Sequence, residues 1–294
     1  MEELCLLSVH AHPDDESSKG ASTVARYAAE GVRTVLVTCT GGEEGDILNP
    51  AMESPEVRAD IGSVRMRELD NAVRIIGYDE LVLLGYRDSG MPDAPSNAHP
   101  DCFAQAPVDE AVGRLVSVIR RARPHVILTY GEEQRGYRHP DHLRVHEISV
   151  LAFDAAGDPD AFPEAGEPFQ PLKLYYNAWN RRQFLERHEK FLELGLASPY
   201  QERIDKGGWL DDRDESPEPT TFIDLAGFTE VRREALIAHA TQIDPNSMNW
   251  FGLPEEVERT LHQHDAYVLA RSLVSPLEVA EDDLFAGVRE LASR

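Results

Sequence analysis

Two short segments concentrate the groups that bind metals and move protons. His10-Ala11-His12-Pro13-Asp14-Asp15-Glu16 carries two imidazoles and three carboxylates; Tyr137-Arg138-His139-Pro140-Asp141-His142 repeats the His-Pro-Asp triplet and adds a histidine. Imidazole nitrogen and carboxylate oxygen are ordinary zinc ligands, and a catalytic zinc takes three protein ligands and keeps one position open. A His-Pro-Asp triplet also suits a helix start, because proline fits the first turn and aspartate the positive end of the dipole. Two such triplets, each with further acids or histidines, point instead to one shared metal centre. His10 would share a strand face with His12, either supporting the site or packing in the core. His125, His188, His262 and His264 have no partner pattern.

These segments need a frame that brings them together. Nearly continuous apolar runs at 4–9 (LCLLSV), 34–38 (TVLVT), 81–84 (LVLL), 126–130 (VILTY) and 172–176 (LKLYY) predict strands buried on both faces of a parallel sheet. Helical periodicity over 18–30, 57–76 and 108–122 alternates with them, and 228–242 reads as a later helix. The fold class is therefore α/β: a doubly wound, mostly parallel sheet with helices on both faces. One domain is expected over 1–294, less regular from about 180, with a loop at 157–171 and a polar, exposed segment at 199–219. In such sheets ligands gather at the carboxyl ends of the strands, and the first and fourth strands can be neighbours. Both triplets would then face one crevice. Two more polar turns sit at strand ends: Thr40-Gly41-Gly42-Glu43-Glu44-Gly45, whose glycines permit close approach to a ligand, and Arg87-Asp88-Ser89-Gly90-Met91, where Asp88 could bind a hydroxyl or form an Asx-turn.

The composition narrows the partners. A net charge of -24, from 53 acids against 29 bases, excludes nucleic acid and an anionic membrane surface. Three cysteines, Cys5, Cys39 and Cys102, give no disulfide framework. No leader pattern opens the chain, and no apolar run approaches the ~20 residues a bilayer requires, so a cytoplasmic enzyme is expected. Neither GxGxxG nor GxxxxGK[ST] occurs, which disfavours nucleotide binding.

The paired motifs HPDDE at 12–16 and HPDH at 139–142 are similar to those of the LmbE/PIG-L family of zinc-dependent N-deacetylases, and the similarity extends over essentially the whole chain. Three stretches, TGGEEGDILNPAM at 40–52, RDSGM at 87–91 and AHATQIDPN at 238–246, resemble the family's mycothiol S-conjugate amidases; its N-acetylglucosaminyl-inositol deacetylases are less similar in ILNPAM and near AHATQIDP. Arg135 and Arg138 depart from that pattern.

The resemblance implies one Zn2+ per chain, with Fe2+ as the alternative, held by His12, Asp15 and His142. It implies Asp14 as the general base and His139 as the oxyanion donor or acid. Tyr137 would shape the site, and Asp141 would orient His139 and keep it protonated. Glu43, Arg65 and Asp88 become candidates for gripping sugar and inositol hydroxyls. The substrate would be a small-molecule thiol conjugate or amino sugar, and a homo-oligomer stays open. His239 and Gln242 would hold the cysteinyl part of a conjugate, with Met248, Trp250 and Phe251 packing on its S-substituent.

Overall fold

The computed structural model describes residues 3–132, 138–178, 181–206, 217–274, 276 and 280–292. Its strands are β1 (Cys5–His10), β2 (Arg33–Thr40), β3 (Glu80–Tyr86), β4 (Val126–Tyr130), β5 (Lys173–Asn177), β6 (Thr221–Asp224) and β7 (His264–Ser272). Among the described residues they form one sheet in the order β3-β2-β1-β4-β5-β7-β6. The five strands expected from the apolar runs are all present and mutually parallel; β7 then pairs antiparallel with both β5 and β6.

The helices are α1 (Asp15–Ser18), α2 (Ala21–Ala29), α3 (Pro55–Ala59), α4 (Ile61–Ile76), α5 (Val108–Ala122), α6 (Pro140–Ala155), α7 (Arg181–Glu193), α8 (Gln201–Asp205), α9 (Thr229–Ala238), α10 (Met248–Phe251), α11 (Glu255–Leu261) and α12 (Val288–Ala292). None among the described residues is long and apolar enough to cross a membrane.

Alternate residues of the central strands feed opposite faces, as strand geometry requires. Leu7, Val9, Val35, Val37 and Ile127 pack under α5 and α6 through Leu115, Ile119, Val145 and Ile148. Leu6, Leu36, Val126 and Leu128 pack under α2, α4 and α9 through Val24, Leu69, Ala72 and Ala235. A separate cluster of Phe184, Phe191, Tyr200 and Leu253 joins α7 to the segments around it.

Several expectations shift. β3 is an edge strand with Leu83 49 % exposed, so its run is not buried on both faces. The helix expected over 57–76 is two, broken at Asp60 (φ −138°, ψ 41°) just before Gly62 and Ser63, both weak helix formers. The helix expected over 18–30 begins at Ala21, because Gly20 takes φ 90°. The segment read as exposed at 199–219 begins with buried Tyr200 and α8; its 207–216 part lies outside the described residues.

Candidate metal centre and active site

Parallel pairing of β1 with β4, Ser8 opposite Leu128, sets the two carboxyl ends side by side. The loop leaving β1 and the start of α6 therefore converge. His12, Asp15 and His142 are 6 %, 3 % and 2 % exposed. Asp15 Oδ2 lies 3.3 Å from His142 Nε2 and 3.5 Å from His12 Nδ1, and it accepts the His12 N–H at 3.0 Å. Asp15 Oδ1 accepts from Lys19 Nζ at 2.6 Å, one helical turn on. The other edge of His12 faces two more acids: Nε2 is 3.2 Å from Asp141 Oδ2 and 3.5 Å from Asp88 Oδ1.

Among the described residues, two groups have ligand atoms close enough to hold one ion: His12, Asp15 and His142, and His12, Asp88, His139 and Asp141. Carboxylates this buried need a compensating positive charge. The need is visible at His12, where burial disfavours the cation but hydrogen bonds with Asp141, Asp15 and Asp88 hold its pKa well above the usual imidazole value. Opposite forces act on Asp15: burial raises its pKa, and Lys19, His142 and His12 more than reverse that. A nitrogen–nitrogen–oxygen donor set around a site that calls for positive charge fits a divalent cation.

Asp14 departs from the regular backbone. It sits at φ 109°, ψ −24°, a left-handed conformation that costs a residue with a side chain about 1–3 kcal/mol. Its side chain stays 27 % exposed, and Oδ2 meets Arg65 Nη2 at 3.1 Å. Burial raises the Asp14 pKa; Arg65 opposes that shift and Asp15 adds to it. Arg65 was expected to grip substrate hydroxyls. Instead it is buried, giving hydrogen bonds to the Pro13 and Gly42 carbonyls, each at 2.6 Å. Gly42 is required for this: a Cβ there would stand 2.3 Å from Arg65 Nη1. The glycine-rich turn thus admits Arg65 rather than a ligand.

His139 caps α6, with Nδ1 accepting the Asp141 N–H at 3.2 Å. Asp141 was expected to orient His139 and keep it protonated, but its carboxylate is turned elsewhere. Asp141 Oδ2 accepts from Ser89 N at 2.9 Å and approaches His12, its Oδ1 accepts from Ser89 Oγ, and His139 Nδ1 is 4.0 Å away. Burial and the neighbouring His12 push the His139 pKa down to about 4, which favours the neutral ring over the imidazolium expected. With Nδ1 accepting, the proton of the neutral ring is on Nε2.

Asp88 forms the Asx-turn considered for it, accepting the Gly90 N–H at 2.8 Å, and faces His12 rather than open solvent. Glu43 Oε1 accepts the Asp88 N–H at 3.0 Å, tying together the turns after β2 and β3. His239, expected to hold substrate, has no exposed surface; its Nε2 lies 2.6 Å from Glu16 Oε1, behind the β1 loop. Trp250 and Phe251 lie against Arg232 and Arg233, about one and a half to two turns of α9 before His239. Tyr137 lies outside the described residues.

Other contributors escaped the sequence reading. The Tyr130 ring stacks on His142 at 4.6 Å; its hydroxyl accepts the Ala11 N–H at 3.2 Å and lies 3.0 Å from His10 Nδ1, which places His10 as support beneath the site. Ser89 anchors Asp141. Lys19 carried a local signal, four residues beyond Asp15 on a helical stretch; Ser89 and Tyr130 carried none beyond lying at strand ends.

The profile of a family described as "PIG-L: GlcNAc-PI de-N-acetylase" matches residues 7–153. A mycothiol S-conjugate amidase of Streptomyces coelicolor is 46% identical over 297 residues, covering 99% of both chains. A 1D-myo-inositol 2-acetamido-2-deoxy-alpha-D-glucopyranoside deacetylase of Streptomyces avermitilis is 42% identical, covering 96% of this chain and 97% of its own. Among solved structures, the N,N'-diacetylchitobiose deacetylase of Pyrococcus horikoshii shares the fold, with TM-score 0.62 and 15% identity over 92% of this chain and 85% of its own. The chain belongs to the PIG-L/LmbE family of deacetylases and amidases, which are hydrolytic enzymes.

Proposed function

We propose that the protein hydrolyses the amide of a mycothiol S-conjugate, releasing glucosaminyl-inositol and an N-acetylcysteine S-conjugate, with zinc as its metal. The observation that carries the hydrolytic reading is Asp14: an acid held by Arg65 in a strained backbone, partly open to solvent and beside the buried imidazole–carboxylate cluster. The choice of substrate rests on the full-length similarity to the Streptomyces coelicolor amidase.

Of the two candidate groups, His12, Asp15 and His142 would hold the metal, since three protein ligands leave a position open. Asp88 and Asp141 would then act on His12 from its far nitrogen, as carboxylates do behind metal-binding imidazoles. A bound divalent cation would polarise the scissile carbonyl and acidify a nearby water.

The side chains account for the proton movements. Asp14 takes a proton from the attacking water as the water oxygen bonds to the carbonyl carbon. The carbonyl π bond opens, and His139 donates its Nε2–H to the oxyanion that develops. A neutral donor suits this role and needs no proton of its own to leave. Collapse re-forms the carbonyl and breaks the C–N bond. The proton held by Asp14 passes to the departing nitrogen, leaving a carboxylic acid and a free amine. Glu43, at the rim of the β2 turn, is the remaining candidate for a substrate hydroxyl.

The sibling reading, removal of acetate from N-acetylglucosaminyl-inositol, has its own support in the 42% identical deacetylase. A hydrolysis assay with both substrates separates them. The conjugate is expected to turn over faster; equal or faster release of acetate would replace the amidase reading with the deacetylase.

A further inference from the structure

We propose that Glu16 and His239 form a positioning pair that sets the backbone of Asp14 and so aims its carboxylate. The proposal rests on the reading of Asp14 as the base of an amide hydrolysis, and concerns residues that touch no reacting atom.

The geometry centres on one peptide unit. The carbonyl of Pro13 accepts from Arg65 Nη2 at 2.6 Å, and the N–H of the same unit, on Asp14, donates to Glu16 Oε2 at 2.9 Å. That peptide plane is therefore gripped at both edges. The next plane is fixed as well, because the Asp14 carbonyl accepts from the N–H groups of Ser17 at 3.1 Å and Ser18 at 3.0 Å. Two fixed planes on either side of one α-carbon determine its two torsions. Asp14 is consequently held at φ 109°, a conformation it would otherwise leave. Arg65 Nη2 then meets Asp14 Oδ2, completing the aim of the side chain.

Of these hooks, Glu16 depends on the most distant part of the chain. Its carboxylate is fully buried, and its other oxygen lies 2.6 Å from His239 Nε2, itself fully buried at the end of α9. Ser17 Oγ donates to the same oxygen at 2.5 Å, so without His239 the carboxylate would keep only partners from its own loop. The imidazole ties Oε1 to the end of α9, so that Oε2 stays turned to the Asp14 N–H. The turn carrying His239 is itself tied down: Thr241 N and Oγ1 donate to Glu68 at 2.8 and 2.6 Å, and the Thr241 carbonyl accepts the Leu48 N–H at 2.8 Å. The segment that looked like a substrate contact is thus the back wall of the catalytic loop.

A double-mutant cycle on the metal-loaded enzyme tests this. His239→Ala is expected to lower kcat by about 10- to 100-fold, the scale of a small misplacement of a catalytic group, with KM and bound metal within about twofold. In an Asp14→Asn background the same change should alter kcat by less than about twofold, because the group being aimed is gone. Equal effects in both backgrounds, or loss of metal, would overturn the proposal. His239→Gln restores an N–H donor to Glu16 and should recover most of the lost kcat; a variant that folds and binds metal without recovery counts against it. Hydrogen exchange needs no substrate: the Asp14 amide should exchange at least about tenfold faster in His239→Ala. Unchanged exchange overturns the pair whatever the enzyme hydrolyses. A wild type inactive on both amides, with faster exchange in the variant, would instead reject the hydrolytic reading alone.

Discussion

The chain carries the tripeptide His-Pro-Asp at 12–14, 99–101 and 139–141, and the two copies that enter the candidate site, the first and the last, have opposite characters. At 139–141 the sequence does what its residues prefer. His139 has extended dihedrals and caps the helix, Pro140 occupies the first turn, and α6 runs on for 16 residues. Asp141 has no exposed surface and its carboxylate is bonded to Ser89. At 12–14 the same triplet leads into a helix of four residues whose N-cap, Asp14, is left-handed and makes no side-chain capping bond. Local preference is satisfied in one copy and overridden in the other. The overridden copy carries the more exposed carboxylate, consistent with strain collecting where chemistry is done.

Three experiments press on that contrast. The largest effect should come where both copies act together: Asp15→Ala or His142→Ala should each abolish turnover and drop bound metal to near zero. Full metal content in either variant would remove that residue from the ligand set. Next, Asp14→Asn should lower kcat by about 10²- to 10⁴-fold with metal retained. Asp141→Asn should act mainly through metal affinity, weakening it by about 10- to 100-fold. Matching metal affinities and matching rates in the two variants would erase the division of labour between the copies. The smallest effect is on stability. Chemical denaturation of the metal-free protein should find Asp14→Gly more stable than Asp14→Ala by about 1 kcal/mol, since glycine accepts a positive φ. Asp141→Gly, in the first turn of a regular helix, should be less stable than Asp141→Ala by a similar amount. The same order at both positions would show that the left-handed backbone of Asp14 is not a cost to the fold.

The part of the molecule legible in the sequence is the part governed by local pattern. β1, β2 and β4 are buried runs at the centre of the sheet, and their apolar continuity announces them. The run at 81–84 looks the same on paper, but nothing in it says that no strand will flank β3 on its outer side. β6 was missed because it spans four residues alternating between buried and exposed, Thr221 and Ile223 inward, Phe222 and Asp224 outward. α7 is too polar to stand out, although Phe184 and Phe191 mark one helical stripe. The two triplets gave away the site by composition alone. The directions of its supporting groups stayed hidden, because they depend on partners far along the chain. Ser89 reaches Asp141 across 52 residues and His239 reaches Glu16 across 223. Arg65 and His239, expected at the substrate, both turn polar atoms to the loop after β1, toward the Pro13 carbonyl and the Glu16 carboxylate.

The strand order also bears on how the molecule is made. β5 ends at Asn177, yet its outer neighbour is β7, which begins at His264, and β6 lies beyond β7. On a ribosome adding about 5–20 residues per second, the flank of β5 would stay bare for on the order of ten seconds after that strand emerges. During that interval the nascent sheet exposes the kind of unpaired edge that recruits foreign strands. Slow codons between residues 178 and 263 would lengthen the interval, and with it the demand for chaperones.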